Sequence, residues 1–198
     1  MKKSIIALGL LVGTPLAAQS WEVGAFVGQQ TYNSFSTSGI EFKPENKVVG
    51  AVRGGYSFVD LGPALFQINA AFQPKASSEV KANGTTLGFK LDHQATSLGL
   101  AFVFKAGVSA SIGVDYRWDK LEYAFSGVSA STTYGRPWAR ANIGFAIPSP
   151  IVKPFLGLEV AAALSSKSIG AGGPSSDEEA MKGLAPKLQI GLYGGVRF

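Results

Sequence analysis

Hydrophobic and polar residues alternate with a period of two in eight separate segments of the chain. In the clearest one, "VSASIGVDYRWD", Val108 and Trp118 belong to an apolar row, whereas Arg117 and Asp119 belong to a polar row. Successive side chains of a β-strand point to opposite faces, so each segment predicts a strand with one apolar face. The last segment, "LQIGLYGGVRF", carries the same pattern to the end of the chain. The sequence therefore predicts an all-β protein.

The connections between the eight segments alternate in length. Short ones, "DLGPA", "KAG" and "PSPI", follow the second, fourth and sixth segments, and long polar ones follow the first, third, fifth and seventh. An even number of strands with short turns at one end and long loops at the other is typical of outer-membrane barrels. We predict a closed antiparallel eight-stranded transmembrane β-barrel with short periplasmic turns and long extracellular loops.

Two of the long connections contain signals of local structure. Asn83-Gly84 lies between alternating residues in "EVKANGTTLGFKL", which predicts that the third and fourth strands continue past the membrane as a projecting hairpin. The last connection is rich in Gly and Ser, and we expect a mobile loop there, although Ser176 with Glu179 can cap one helical turn.

The residues opposite the apolar rows distinguish a membrane barrel from a soluble β-sandwich. A sandwich turns its polar face to water, which favours many Lys, Glu and Thr residues. Here that row is mostly Gly, Ala, Ser, Gln, Asn and Arg, as in a crowded polar interior. Aromatic residues of the apolar rows fall into two bands, which is typical of interfacial girdles. The predicted girdle residues are Trp21, Tyr56, Phe58, Phe66, Phe72, Phe104, Tyr116, Trp118, Phe145 and Phe198.

The first residues of the chain have the pattern of a secretory signal peptide. Lys2 and Lys3 precede the apolar run "IIALGLLVG", and small residues follow that permit cleavage after Ala18. The apolar run is shorter than the roughly 20 residues that a membrane-spanning helix needs. We therefore assign residues 1–18 to the signal peptide and residues 19–198 to the barrel domain.

Charge and cysteine content exclude several classes of function. Cleavage after Ala18 removes two lysines, so the formal net charge falls from +5 to +3, too small an excess to indicate a nucleic-acid partner. The chain has no cysteine, which rules out disulfides and zinc–thiolate sites in an exported protein. No His and carboxylate residues have metal-ligand spacing, and no motif indicates a cofactor.

Three stretches resemble the small eight-stranded outer-membrane barrels of the OmpA, OmpX and opacity-protein superfamily: "WEVGAFVG", "VRGGYSF" and the terminal aromatic. In that family the last strand is similar to a signal for the barrel-assembly machinery, with a final Phe and a hydrophobic residue two places earlier. Phe198 and Val196 match this assembly signal, whereas Tyr193 replaces the family's usual Gly. The resemblance implies location in the cell outer membrane, with outer-membrane lipid, lipopolysaccharide and the assembly machinery as partners.

The interior of an eight-stranded barrel is just wide enough for side chains to fill it. Unpaired charges in such a space are costly, so inward-facing charges should form a paired network. That network either plugs the barrel or forms an ion path, which would prefer anions because basic side chains outnumber acidic ones. The predicted inward charges are Glu22, Arg53, Asp115, Arg117, Arg136, Arg140, Glu159, Lys187 and Arg197.

His93 is the only histidine and the only candidate for hydrolytic chemistry. Barrels that resemble lipid A deacylases carry Ser two residues after the histidine, where this chain has Ala95. Asp92 is adjacent and therefore faces the opposite side of a strand. We interpret His93 as a polar residue near a loop and predict no catalytic residues.

The sequence thus predicts a non-enzymatic outer-membrane protein with a structural or surface-interaction role and an interior plugged by polar and charged side chains. Its loops would present a site for an extracellular ligand. The alternative is a narrow porin-like channel for small or hydrophobic solutes, and a lipid-modifying enzyme is disfavoured.

Overall fold

The computed structural model describes residues 20–106, 108–125, 128–147 and 151–198. The predicted signal peptide, residues 1–18, lies outside these ranges. The described part of the chain forms ten strands and one short helix. The elements are β1 (Ser20–Tyr32), β2 (Phe35–Thr37), β3 (Ile40–Pro44), β4 (Lys47–Asp60), β5 (Ala64–Ala82), β6 (Thr85–Ala106), β7 (Val108–Phe125), β8 (Val128–Ala146), β9 (Lys153–Ala163), α1 (Asp177–Gly183) and β10 (Pro186–Arg197).

Eight of the strands pair side by side into a closed antiparallel ring. The order around it is β1, β4, β5, β6, β7, β8, β9 and β10, and β10 pairs again with β1. The two ends of the described chain meet there, since the Phe198 N–H donates to the Trp21 carbonyl at 2.9 Å and the Trp21 N–H donates to the Phe198 carbonyl at 2.7 Å. The predicted eight-stranded barrel is confirmed.

The barrel has two different ends, which we name by their connections. The turn end carries the three short connections after β4, β6 and β8, together with the start of β1 and the end of β10. The loop end carries the hairpin of β2 and β3, which joins the sheet where β3 pairs with β5, and the helix α1.

Along each strand the apolar row faces outward and the polar row faces inward. On β7 the outward Ile112 side chain is 65% exposed, whereas the inward Arg117 and Asp119 are 7% and 0% exposed. Leu, Ile, Val and Phe side chains repeat this outward exposure around the ring. A belt of that extent is far larger than the apolar patches of soluble proteins and fits the hydrocarbon layer of a membrane.

The aromatic side chains form an outward band at each edge of this belt. Nine of the ten predicted girdle residues have exposed side chains, and Tyr56 is half-buried against Trp21, with ring centroids 4.8 Å apart. Phe72, Tyr116 and Trp118 form the loop-end band, and the others lie toward the turn end.

Beyond the loop-end band the polarity of the two rows reverses. On β7 the outward row continues from Trp118 to Lys120 and Glu122, whereas the inward row continues from Asp119 to the fully buried Leu121. Charged groups are thus outside and apolar groups inside, as in a soluble protein. The reversal places the boundary between lipid and water just past Trp118.

The barrel wall continues well past this boundary. β5 and β6 project as a hairpin that turns at Asn83 and Gly84, both with positive φ (47° and 83°), so the predicted projecting hairpin is confirmed. β7 extends to Phe125 and β8 starts at Val128, so most of the connection expected to be a long loop is strand.

The expectation of a mobile loop is wrong for the segment that forms α1. Ser176 caps the helix, since its hydroxyl accepts the Glu179 N–H at 3.2 Å. Met181 and Leu184 bury their side chains in an apolar core inside the projecting part of the barrel, and this burial fixes the helix there. The buried members of this upper core are Tyr32, Val80, Leu91, Leu121, Met181, Leu184 and Ala185.

No helix within the described ranges is long and apolar enough to cross a membrane.

A charge in the middle of the belt should destabilise the barrel. We expect Ile112→Arg to lower the free energy of unfolding in phosphatidylcholine vesicles by about 2–4 kcal/mol, the cost of Arg facing mid-membrane lipid. Thr86→Arg, on the exposed hairpin, should change it by less than about 0.5 kcal/mol. Denaturant titration followed by tryptophan fluorescence measures both, and equal losses would contradict a lipid-facing belt.

Candidate functional site

A carboxylate near the loop end of the barrel interior holds three nitrogen-bearing side chains together. Arg117 donates through Nε to Asp119 Oδ1 at 2.7 Å, and Arg136 donates through Nη2 to Asp119 Oδ2 at 3.1 Å. His93 Nε2 lies 2.8 Å from the same Asp119 Oδ1. Asp119 and His93 have no exposed surface. Arg136 also donates to the Pro186 carbonyl, which ties the group to β10.

Three glutamine side chains surround His93. Gln189 Nε2 donates to Gln30 Oε1 at 2.7 Å and to Gln73 Oε1 at 2.8 Å. The amide nitrogens of Gln30 and Gln73 each lie 3.1 Å from His93 Nδ1. Since both amides donate, Nδ1 is the acceptor, and Nε2 carries the proton that His93 donates to Asp119. The ring orientation and tautomer of His93 are thus fixed from both sides.

Two arginine–carboxylate pairs lie in the middle of the barrel. Arg53 donates to both Glu159 oxygens at 2.7 and 2.8 Å, and Arg140 donates to both Asp115 oxygens at 2.9 and 3.0 Å. Such bidentate pairs restrict both side chains to one geometry. The pairs connect β4 with β9 and β7 with β8, so they brace the ring from inside.

Aromatic faces link the middle pairs to the groups on either side of them. Arg53 stacks over the Tyr193 ring at 4.4 Å, and the Tyr193 hydroxyl donates to Glu22 at 2.7 Å. Glu22 in turn accepts from Arg197 close to the turn end. On the other side, Arg117 stacks over the buried Trp138 ring at 4.5 Å. Charges, amides and rings therefore occupy the lumen from Arg197 to Asp119.

Eight of the nine predicted inward charges lie in this lumen, and Lys187 does not. Its side chain is exposed because β10 contains an irregularity opposite β1, where Thr31 pairs with Leu188 but Tyr32 pairs with Pro186. Lys187 is the extra residue without a partner on β1, and Pro186 takes the buried position instead. The placed residues are Glu22, Arg53, Asp115, Arg117, Arg136, Arg140, Glu159 and Arg197.

Asp119 and His93, at the centre of the loop-end group, are absent from the predicted inward residues. Asp119 continues the inward row of Asp115 and Arg117 on β7, so the alternation in the sequence does predict its inward position. His93 is not near a loop: it belongs to the inward row of β6, two residues before the buried Ala95. Asp92 faces away from it, as expected, and accepts the Ser77 hydroxyl at 2.6 Å.

Little free space remains between the middle pairs and the loop-end group. The cavity there measures about 40 Å³ and is lined by side chains that include Asp115, Arg117 and Trp138. A volume of this size holds a few water molecules and no larger solute.

The half of the lumen nearer the turn end is polar and less completely bonded. Buried side-chain atoms of Ser57, Gln67, Asn69 and Asn142 have no hydrogen-bond partner among the described residues. Groups of this kind are normally satisfied by water. Nearest the turn end, Leu65, Ala101 and Val103 form a small apolar cluster.

A second charged group lies on the outer face, just past the loop-end band. Lys75 Nζ is 2.5 Å from Glu122 and 3.4 Å from Asp92, and Lys120 Nζ is 2.6 Å from Glu122. Hydrogen bonds from Lys120 and Lys75 lower the pKa of Glu122 to about 2. We name Lys75, Asp92, Lys120 and Glu122 the outer charge group. Within the described ranges, no group of three or more His, Asp or Glu side chains is arranged to hold a metal ion.

Solved structures with the same architecture come from outer membranes. A major outer membrane protein from Thermus thermophilus is 16% identical, with a TM-score of 0.57 over 91% of this chain and 99% of that chain. The present chain has the fold of an outer-membrane β-barrel. Ail, the attachment invasion locus protein of Yersinia pestis in complex with the heparin analogue sucrose octasulfate, is 15% identical, with a TM-score of 0.53 over the same shares of the two chains.

No family model and no curated protein sequence matches the chain. The two solved structures confirm the resemblance to small eight-stranded outer-membrane barrels at the level of fold.

Removing the central carboxylate should cost far more than removing a surface one. We expect Asp119→Asn to lower the free energy of unfolding by about 3–5 kcal/mol, because it leaves Arg117 and Arg136 buried without a counter-charge. Glu122→Gln breaks ion pairs on the outer face and should cost less than about 1 kcal/mol. Denaturant titration of both refolded variants is the test, and a loss at Asp119 no larger than that at Glu122 would show that the lumen is hydrated.

Proposed function

We propose that this chain is an integral protein of the cell outer membrane with a structural or surface-interaction role, whose interior is plugged by the luminal side chains. The observation that carries the proposal is the loop-end group, where buried Asp119 binds Arg117, Arg136 and His93. Opening a path would separate charges that have lost their hydration, which costs several kcal/mol for each unpaired ion. The plug therefore stays in place under ordinary conditions.

In this proposal the turn end faces the periplasm and the loop end faces the exterior. The short connections and both ends of the mature chain then lie on the periplasmic side, as in other outer-membrane barrels. The β5–β6 hairpin, the β2–β3 hairpin and α1 then form a folded surface that is exposed to the exterior. Ail in complex with a heparin analogue is a barrel of this fold with a bound ligand, which supports a binding role for this chain.

Outer-membrane lipid is the second partner in this proposal. The belt contacts acyl chains, and the outer charge group contacts the headgroup region. Lys75 and Lys120 lie on the outer surface above Trp118, at the height where the phosphates of lipopolysaccharide are found. These ammonium groups are suited to pair with such phosphates.

Hydrogen bonding around His93 supports a non-enzymatic role. Its hydrogen-bond partners within the described chain are two amides and a carboxylate, and a serine nucleophile is not among them. The nearby Ser78 hydroxyl donates instead to the Tyr32 hydroxyl, at 2.9 Å. A Ser–His–Asp arrangement needs the hydroxyl on the imidazole.

The alternative function is a narrow channel, and one observation favours it. The unpartnered polar atoms of Gln67, Asn69 and Asn142 indicate a hydrated stretch on the turn-end side of the plug. Arginines outnumber carboxylates by five to four among the luminal charges described above, so a channel would prefer anions.

Single-channel recording in planar bilayers separates the two functions. We expect no discrete conductance steps from the refolded wild-type protein, because Arg117, Arg136 and Asp119 close the lumen. Arg117→Ala/Asp119→Ala should give short anion-preferring steps, whereas Lys75→Ala/Glu122→Ala, an ion pair on the outer face, should stay silent. Stable steps from the wild type would contradict the plugged interior and favour the channel.

The assembly signal predicts an effect in cells. Phe198→Ala should reduce the amount of barrel that migrates as a folded species on an unheated gel, because Phe198 and Val196 are proposed to be read by the assembly machinery. Phe145→Ala removes another exposed aromatic side chain of the same turn-end band and serves as the control. Equal reductions would mean that both act only through contact with lipid.

A further inference from the structure

The loop end contains a pocket that the plug and the belt do not explain. It measures about 470 Å³ and opens between the β2–β3 hairpin, the upper part of β6 and β7, and α1. Pockets of 300–1,000 Å³ with apolar walls are the usual size for small-molecule sites. This one lies beyond the loop-end band, so it faces water rather than lipid.

The walls of the pocket are aromatic and its floor is the upper core. Phe35 and Phe42 of the hairpin stack with ring centroids 5.4 Å apart, and Phe89 and Tyr123 meet at 6.2 Å. Buried Met181 on α1 contributes to the floor and is fixed by the packing that holds the helix. Aromatic rings on a rigid floor offer a preformed surface to an apolar ring or chain.

One charge stands at the mouth of this pocket. Asp177 is the single ionisable acid or base, apart from the Tyr123 phenol, among the described lining residues. The adjacent Glu178 and Glu179 already have cationic partners, Lys182 at 2.5 Å and Lys167 at 3.0 Å. Asp177 has no Lys, Arg or His partner within the described ranges. Asp177 and Tyr123 line the same pocket, and the carboxylate raises the pKa of the Tyr123 phenol.

We propose that this pocket binds a small hydrophobic cation: an apolar, ring-containing body that lies against Phe35, Phe42 and Tyr123, with one ammonium group paired to Asp177. Cations are attracted to aromatic faces as well as to carboxylates, so both parts of the pocket favour the same ligand. An anion would meet Asp177 unfavourably, and a neutral ligand would leave it without a cationic partner. The inference names a ligand class for the proposed surface-interaction role and rests on the loop end being exposed to the exterior.

Binding is tested on the full mature chain in phosphatidylcholine nanodiscs by isothermal titration calorimetry. The probes are 4-phenylbutylammonium, 4-phenylbutanol and 4-phenylbutyrate, which share one apolar body and differ in charge. We expect the ammonium to bind saturably, with an affinity about fivefold higher than that of the alcohol, since a partly exposed ion pair contributes about 1 kcal/mol at most. The carboxylate should bind more weakly than the alcohol.

Three variants locate the site. Asp177→Asn should lower the affinity for the ammonium to that of the alcohol and leave the alcohol unchanged. Glu178→Gln, one residue further on and already paired with Lys182, should change neither and is the matched control. Ala180→Phe places a ring in the pocket and should abolish binding of all three probes.

The proposal is overturned if the wild type shows no saturable binding, or if the three probes bind equally well. It also fails if Glu178→Gln acts like Asp177→Asn, which would indicate a diffuse charge effect, or if Ala180→Phe leaves binding intact, which would place the site elsewhere. The same samples are tested for conductance in bilayers. If no probe binds and no conductance steps are seen, only the proposed ligand site is rejected. If conductance steps are seen, the plugged interior is rejected whether or not the probes bind.

Discussion

A peptide group without a hydrogen-bond partner costs several kcal/mol in hydrocarbon, because no water is present to replace the missing partner. The lipid-facing belt of this protein contains no helix within the described ranges, so its peptide groups must be paired between strands. Each of the eight ring strands has a neighbour on both sides, and the last pairing, of β10 with β1, removes both edges. The short turns, the shared position of the chain ends and the narrow lumen all follow from this closure.

Closure with eight strands also determines the chemistry of the interior. The lumen is just wide enough for side chains to fill it, and an unpaired charge there is costly, so each charged group needs a protein partner. Bidentate pairs such as Arg53–Glu159, together with the shared carboxylate Asp119, meet that need. Arg53–Glu159 joins β4 to the distant β9, and Asp119 joins β7 to the adjacent strands β6 and β8, so these contacts also brace the wall from inside.

Period-two alternation was sufficient to predict the eight ring strands, the girdle positions and most of the inward charges, because lipid outside and side chains inside impose one rule on every ring strand. The short strands β2 and β3 lie in the first long connection and were not predicted. The alternation failed where that rule changes. The rows exchange polarity at Asp119, where the predicted segment ended, whereas β7 continues to Phe125. Lys187 was misplaced because an irregularity in β10 shifts the alternation by one residue. The helix α1 depends on burial of Met181 and Leu184 against distant strands, which a Gly- and Ser-rich segment does not reveal.

The central claim is that the apolar row contacts lipid up to Trp118 and that the two rows exchange polarity there. Because the chain has no cysteine, single cysteines at positions 108–122 of β7 can each carry a spin label. Collision of each label with oxygen, which partitions into lipid, and with a water-soluble nickel chelate measures its surroundings. We predict high oxygen access at even positions up to 118, high nickel access at 120 and 122, and low access to both at the odd positions. Equal access at even and odd positions, or nickel access along the whole even row, would contradict the account.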